Sequence, residues 1–214
     1  VPVKFTDGFW QTRPGVTALY AQEAYDIWQT VDTPDGAGLV VTAPTAVITK
    51  RGDTLNRPAL TVTLSSPLEG VVRVRITHHA GGREHVGFES PGAVSGGAGE
   101  VSVTAEAGTI VTGGLTARIA HGAPWSLTFL HDGRELTSSG HKSQASIRLA
   151  ADAQVHSDVV VYEGTAPQRT FIHEQLDLGV GEHIYGFGER FGPLVKNGQS
   201  IDIWNADGGT ASEQ

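Results

Sequence analysis

Four carboxylates, Glu182, Glu189, Asp202 and Asp207, stand among the rings of Tyr185, Phe187, Phe191 and Trp204 in the glycine-rich stretch 176–214. Paired carboxyl groups are what acid/base chemistry on a glycosidic bond requires. The rings are flat amphipathic surfaces on which sugars and other polar rings stack, and glycine permits positive φ and close approach of backbone to a ligand. Any two of the carboxylates could form a working pair. The same residues also suit solvated turns between ordinary strands, because glycine-rich turns punctuate every all-β chain. Asp207 is the most site-like of them: in WNADGG (residues 204–209) it lies between a stacking ring, Trp204, and a flexible turn.

Other chemistries are poorly supplied. Nine histidines invite a metal site, but His78 and His79 are adjacent, so a strand points them to opposite faces, and His121, His131 and His141 sit near turns. No His-x-x-x-His or His-Glu-x-x-His spacing occurs, and no metal or other cofactor is expected. The G-x-S-x-G elbow of serine hydrolases is missing. Gly179, Gly181, Gly186 and Gly188 do not form the G-x-G-x-x-G fingerprint, and nothing downstream reads as a helix whose N-terminus could hold a phosphate.

The totals narrow the class. With 39% hydrophobic and 18% charged residues in 214, the chain has the composition of a globular protein that can bury a core. A net charge of -8 and a pI near 5.5 argue against nucleic-acid or anionic-membrane partners, which need a basic footprint. No stretch approaches the roughly 20 apolar residues of a membrane span, and the first residues lack the apolar core of a signal peptide. Zero cysteines exclude disulfides and thiolate chemistry and fit a cytoplasmic location.

The elements that must position these residues read as strands. Residues 18–28 have helix-forming composition with Leu19, Ala24 and Ile27 on one face, while Tyr20, Tyr25, Ile27 and Trp28 suit a strand equally well. A turn at residues 33–36 leads into a short apolar strand, 38–42. Leu60, Val62 and Leu64 then alternate with polar residues, as do Val72, Val74 and Ile76, whose partners Arg73 and Arg75 fall on a wet face. Residues 79–99 read as a long loop. Val101, Val103 and Ala105 alternate, as do Leu115, Ala117 and Ile119. Trp125, Leu127 and Phe129 share a strand face that runs into the Asp132-Gly133 hairpin signal. Residues 159–162 form a buried-strand run, and Phe171, His173, Leu176 and Leu178 lead into the terminal stretch. Short strands with regular turn signals predict an all-β fold, a β-sandwich.

The runs GVGEHIYGFGERF (179–191) and LVKNGQSIDIWNADGGTASEQ (194–214) closely resemble the amino-terminal region of glycoside hydrolase family 31, and within it the bacterial α-xylosidases. The resemblance also covers KFTDGFW (4–10), RVRITH (73–78) and GLTARIAHGAPWSLTFLHDGREL (114–136), and so spans essentially the whole chain. It implies that residues 1–214 are an amino-terminal β-sandwich similar to galactose mutarotase, with 179–214 a loop segment reaching toward a separate catalytic (β/α)8 barrel. It further implies retaining hydrolysis of terminal α-linked sugars, α-xylosides first and α-glucosides next, and assembly into homo-oligomers partly through this domain.

In that family the two catalytic aspartates belong to the barrel, where they lie roughly 5 Å apart. The xylosidase nucleophile sits in a Lys-Thr-Asp-Phe-Gly-Glu motif. The lookalike here, YGFGER (185–190), has Gly186 where the nucleophile would be, so this chain is expected to be inactive alone. What carries over is an aspartate of the loop over the barrel mouth, which contacts the sugar on the leaving-group side; the matching residue is Asp207. Its ionised carboxylate would accept hydrogen bonds from hydroxyls, with Trp204 or Phe191 as a stacking wall. Glu189 and Arg190 are read as a structural pair. The rival from another class is a free-standing carbohydrate-binding or assembly module. Mutarotase-like catalysis by the sandwich itself would need a histidine and a carboxylate converging in one cleft.

Overall fold

Side-chain alternation along short segments sets the architecture, because a strand sends successive residues to opposite faces. The computed structural model describes residues 5–7, 11–78, 99–150, 153, 169–188, 192–199 and 201. Among them run β1 (Thr6–Asp7), β2 (Gln11–Thr12), β3 (Val16–Tyr20), β4 (Asp26–Thr33), β5 (Gly36–Pro44), β6 (Ala59–Leu68) and β7 (Val71–Thr77). There follow β8 (Glu100–Val103), β9 (Ala107–Thr112), β10 (Leu115–Ala120), β11 (Leu127–His131), β12 (Arg134–Ser139), β13 (Ala145–Leu149) and β14 (Arg169–His173). A single 3-10 turn, Arg51–Thr54, is the helical element among these residues.

The chain divides into two compact units. The larger comprises Ala18–Ile147 and Thr170–Asp177; the smaller comprises Val1–Thr17, Arg148–Arg169 and Leu178–Gln214. In the larger unit an antiparallel sheet of order β4-β5-β6-β7 faces a second of order β12-β11-β10-β9-β8. A further sheet has the order β14-β13-β3, and β1 pairs with β2. The core lies between the two large sheets. Leu39, Val41, Leu60, Val62 and Leu64 meet Ile110, Ala117, Ile119 and Leu127 there, all essentially solvent-free. Each large aliphatic chain removed from water contributes about 1.5–3 kcal/mol.

The alternating pattern is realised as expected along β6, β7, β10 and β11. Leu60, Val62 and Leu64 point inward while Thr61 is exposed, and Asp132-Gly133 closes the β11–β12 hairpin with positive φ at both residues. The turn at 33–36 is also realised, and its Asp35 is buried at the base of β5. Arg73 of β7 donates to both carboxylate oxygens, at 2.7 and 2.8 Å, and Ser65 of β6 donates to the same group. One carboxylate thereby ties a turn to two neighbouring strands.

One sequence reading left open is resolved and one expectation is corrected. Residues 18–28 are not a helix: they are the end of β3, an extended link and the start of β4. Ala24 bridges to Gly122, and Ala21 and Gln22 donate to the Gln144 and Pro44 carbonyls. The β-branched and aromatic residues win because inter-strand hydrogen bonds and burial of Ile27 outweigh local helix propensity. The alternation of Val101, Val103 and Ala105 does not continue as one strand. Chain reversal at 104–106 is held by the Thr104 hydroxyl, which accepts from the Glu106 and Ala107 amides, so Ala105 sits in a turn. The strand after it, β9, went unread because Gly108 interrupts its apolar pattern. Most of the long-loop reading, 79–98, and the strand reading at 159–162 fall outside the described residues.

Candidate functional site

In the smaller unit, residues 178–199 build the described part of the candidate site. Gly179 and Glu182 close a tight turn: the Glu182 amide donates to the Gly179 carbonyl at 3.2 Å, and the Gly179 amide donates back to Glu182 Oε2 at 2.7 Å. The Glu182 carboxylate is therefore occupied as a local cap. A Cβ on Gly179 would stand 3.0 Å from that carboxyl carbon, which makes glycine the close-fitting residue there. Asn197 then clamps two strands of chain. Its Oδ1 accepts from the Ile184 amide at 2.8 Å and its Nδ2 donates to the Glu182 carbonyl at 2.9 Å, beside the Lys196-to-Ile184 backbone bond.

This clamp holds a short tract that ends in left-handed backbone at Gly186, Phe187 and Gly188. Phe187 is not glycine and still takes φ 68, a conformation that costs a non-glycine residue energy. The tract displays rather than buries its apolar side chains. Ile184, Tyr185, Phe187, Leu194 and Val180 are all exposed, and Tyr185 packs edge-on against the His183 ring. Of the residues predicted to bind sugar, Asp207, Trp204 and Phe191 lie outside the described residues, as do Glu189, Arg190 and Asp202. Glu182 is the one carboxylate of the four whose surroundings are described, and it serves the turn.

The larger unit holds a second candidate that sequence reading missed. An open cleft of about 320 Å³ lies beside the sandwich core. Val74 and Ile76 of β7, Leu127 and Phe129 of β11, and Ile172 of β14 give it apolar walls, and Glu174 supplies a carboxyl. Burial of that carboxyl end pushes its pKa up to about 7, although the residue as a whole is exposed. Ser139 and Gln144 pull the other way, less strongly. His173 does not join it: its half-buried ring packs edge-on against Tyr20, and burial lowers its pKa. A histidine and a carboxylate adjacent in sequence thus face apart, as neighbouring residues of extended chain do. Nothing in the single letter Glu174 signals its buried carboxyl; that depends on the apolar walls from β7 and β11 arriving from distant sequence.

Among the described residues no group of three or more His, Asp or Glu side chains could hold a metal ion. No helix among them is long and apolar enough to cross a membrane.

Comparisons with known proteins place these features in a lineage. The chain is 33% identical to the α-xylosidase XylQ of Lactiplantibacillus pentosus and 35% identical to an α-xylosidase of Emericella nidulans, over 99% of its own length in each case. It spans 25% and 27% of those relatives. Among solved structures it superposes on an uncharacterized protein of Listeria monocytogenes with a TM-score of 0.55 at 21% identity, covering 89% of this chain and 15% of that one. A Flavobacterium johnsoniae GH31 dextranase gives a TM-score of 0.52 at 17% identity over 90% of this chain and 19% of that one, a likeness of fold alone. Residues 61–214 match the model of the glycosyl hydrolase 31 N-terminal galactose mutarotase-like domain. An all-β sandwich, two α-xylosidase relatives aligned along its whole length and that match together make this chain a member of the glycosyl hydrolase 31 N-terminal galactose mutarotase-like domain family.

Proposed function

We propose that this chain is the non-catalytic amino-terminal part of a retaining α-glycosidase, acting on α-xylosides first and α-glucosides next. The observation that carries the reading is the alignment of 99% of the chain with only about a quarter of each of two α-xylosidases. Retaining hydrolysis needs two carboxyl groups roughly 5 Å apart across the scissile bond. At the two candidate sites described above, Glu182 is committed to a turn and Glu174 is the one carboxylate among the lining residues of its cleft. The position in YGFGER that would carry a nucleophile is Gly186. The chemistry therefore belongs to a catalytic barrel elsewhere in the same protein, and residues 179–214 form the segment that reaches its mouth.

On this reading Asp207 accepts hydrogen bonds from the sugar on the leaving-group side, and Trp204 or Phe191 walls it. The exposed apolar tract Val180, Ile184, Tyr185 and Leu194 is the surface that meets the barrel. A cytoplasmic setting is part of the proposal and is supported by the absence of cysteine. The test is to assay the 214-residue chain and the whole gene product side by side on aryl α-xyloside and aryl α-glucoside. Turnover by the whole product with none by the chain is expected. Clear turnover by the chain alone overturns the assignment of chemistry to the barrel.

A further inference from the structure

We propose that the larger unit carries a sugar-binding groove of its own, formed where the loop at residues 45–58 folds beside the end of β5 and the start of β6, next to Tyr25 of the link before β4. The groove has a volume of about 280 Å³. Pro44, Ile48 and Ala59 give it an apolar floor, Tyr25 a ring wall, and Thr42, Thr54 and Arg57 polar tips. This site rests on the reading of the protein as carbohydrate-active, and it deepens that reading by naming where this domain would hold a sugar.

The frame is preorganised. The Thr45 amide and hydroxyl both donate to the Pro58 carbonyl, at 3.1 and 2.9 Å, closing the loop at its base. Asp53 Oδ2 accepts from the Thr49 amide and hydroxyl and from the Lys50 amide, at 3.0, 2.7 and 3.0 Å, which fixes the loop's far end. Buried Glu23 reaches across 25 residues to accept from the Ile48 amide at 2.8 Å, so Ile48 is held in the floor from below. A binding loop that is already ordered loses little conformational entropy when a ligand arrives.

The lining is left unspent. Tyr25 is 52% exposed, enough to present a ring face. Neither its hydroxyl, the Arg57 guanidinium nor the Thr42 hydroxyl has a hydrogen-bond or ion-pair partner among the described residues. Thr54 donates to the Arg51 carbonyl at 2.8 Å and keeps its acceptor capacity. A pyranose matches this set: its C–H face stacks on an aromatic ring and an apolar floor, while its rim of hydroxyls needs donors and acceptors side by side. Arginine offers several donors in a fixed fork, and threonine offers both roles. The volume is at the small end of ligand clefts, which suits a mono- or disaccharide. One arginine in a chain of net charge -8 is a poor trap for a free anion.

The test titrates the 214-residue chain with xylose, glucose, their α-linked disaccharides and inorganic phosphate, following protein chemical shifts and ligand saturation transfer by NMR. Tyr25→Ala and Arg57→Ala are each expected to weaken sugar binding about ten-fold, as loss of an anchor does, while Tyr25→Phe stays within about two-fold. All three substitutions are at exposed positions, and unchanged thermal unfolding of each variant separates lost contacts from lost fold. The proposal is overturned if no sugar binds the wild-type chain, if Tyr25→Ala and Arg57→Ala bind as wild type does, or if phosphate binds in preference to the sugars. Hydrolysis by the whole gene product reads independently. Active enzyme with an empty groove defeats this inference alone, and an occupied groove with no hydrolysis defeats the proposed function alone.

Discussion

Among the described residues, Glu174 is the one whose chemistry departs furthest from its type. Its carboxyl is held up to about 7 chiefly by burial, so the folded chain favours the protonated form where an unfolded chain would already be ionised. The sign follows from linkage: stability tied to this proton is fully present below the ordinary glutamate range and is lost as pH rises through about 7. His173 acts in the opposite sense. Its lowered pKa means that stability is lost as pH falls below the usual histidine range. Comparison of Glu174→Gln with wild type isolates the carboxyl. Urea midpoints measured at several pH values from 4.5 to 8, a span set by these pKa values, should fall with rising pH in wild type relative to the variant. Parallel profiles would mean the carboxyl is not held protonated.

Asp207 belongs to the same scale and tests the borrowed role. In the whole gene product, Asp207→Ala should lower kcat/KM on α-linked disaccharides about ten-fold or more while leaving aryl α-xyloside hydrolysis nearly unchanged, because it removes contacts to the leaving sugar and not the chemistry. Equal losses on both substrates would assign Asp207 to folding instead.

Among elements, the sandwich strands were the most readable part of the molecule. Leu60, Val62 and Leu64, or Leu115, Ala117 and Ile119, alternate cleanly because one face of each strand meets the core and the other meets water. Residues 18–28 were not readable, since the hydrogen bonds that make them extended come from Pro44, Gly122 and Gln144, far away in sequence. The candidate site was legible in part for a related reason. The glycines of 179–188 are read as close turns or a site edge, and the structure has the turns, at 179–182 and in the left-handed backbone of 186–188, but the same letters could not tell that Glu182 closes its own turn.

Gly38 of β5 is a sharper case of an element specified by contact. A Cβ there would stand 2.4 Å from the Leu64 carbonyl oxygen and 2.7 Å from Thr33 Cγ2. The first obstacle is backbone of a central strand, which cannot turn aside as a side chain would. Gly38→Ala should therefore destabilise the fold by about 1–3 kcal/mol or more, the range of overpacking. A urea midpoint unchanged from wild type would show that β5 and β6 separate more easily than this packing implies. Gly70, with open space around it and φ 74, should respond to alanine only through its left-handed backbone, by about 1–2 kcal/mol.

For the molecule as a whole, the two compact units differ in how they treat apolar side chains. The larger builds a core between facing sheets and leaves apolar side chains such as Val31 and Leu55 exposed singly, whereas the described part of the smaller exposes Val180, Ile184, Tyr185, Phe187 and Leu194 in one stretch of chain. Single exposed apolar residues are ordinary, but a run of them on a clamped, preformed tract is characteristic of a surface with a partner. On the proposed reading the partner is the catalytic barrel, and that assigns the substitutions opposite consequences in two contexts. In the 214-residue chain, Val180→Ser with Leu194→Ser should leave the unfolding free energy within about 0.5 kcal/mol of wild type, since neither side chain is buried. The same pair in the whole gene product should lower the temperature of inactivation, because each lost apolar contact at a buried interface removes transfer free energy of roughly 25 cal/mol per Å². Differential scanning calorimetry on both proteins makes the comparison directly. An unchanged transition in the whole product would mean that this tract faces water there too, and the barrel would then have to meet the sandwich through some other surface.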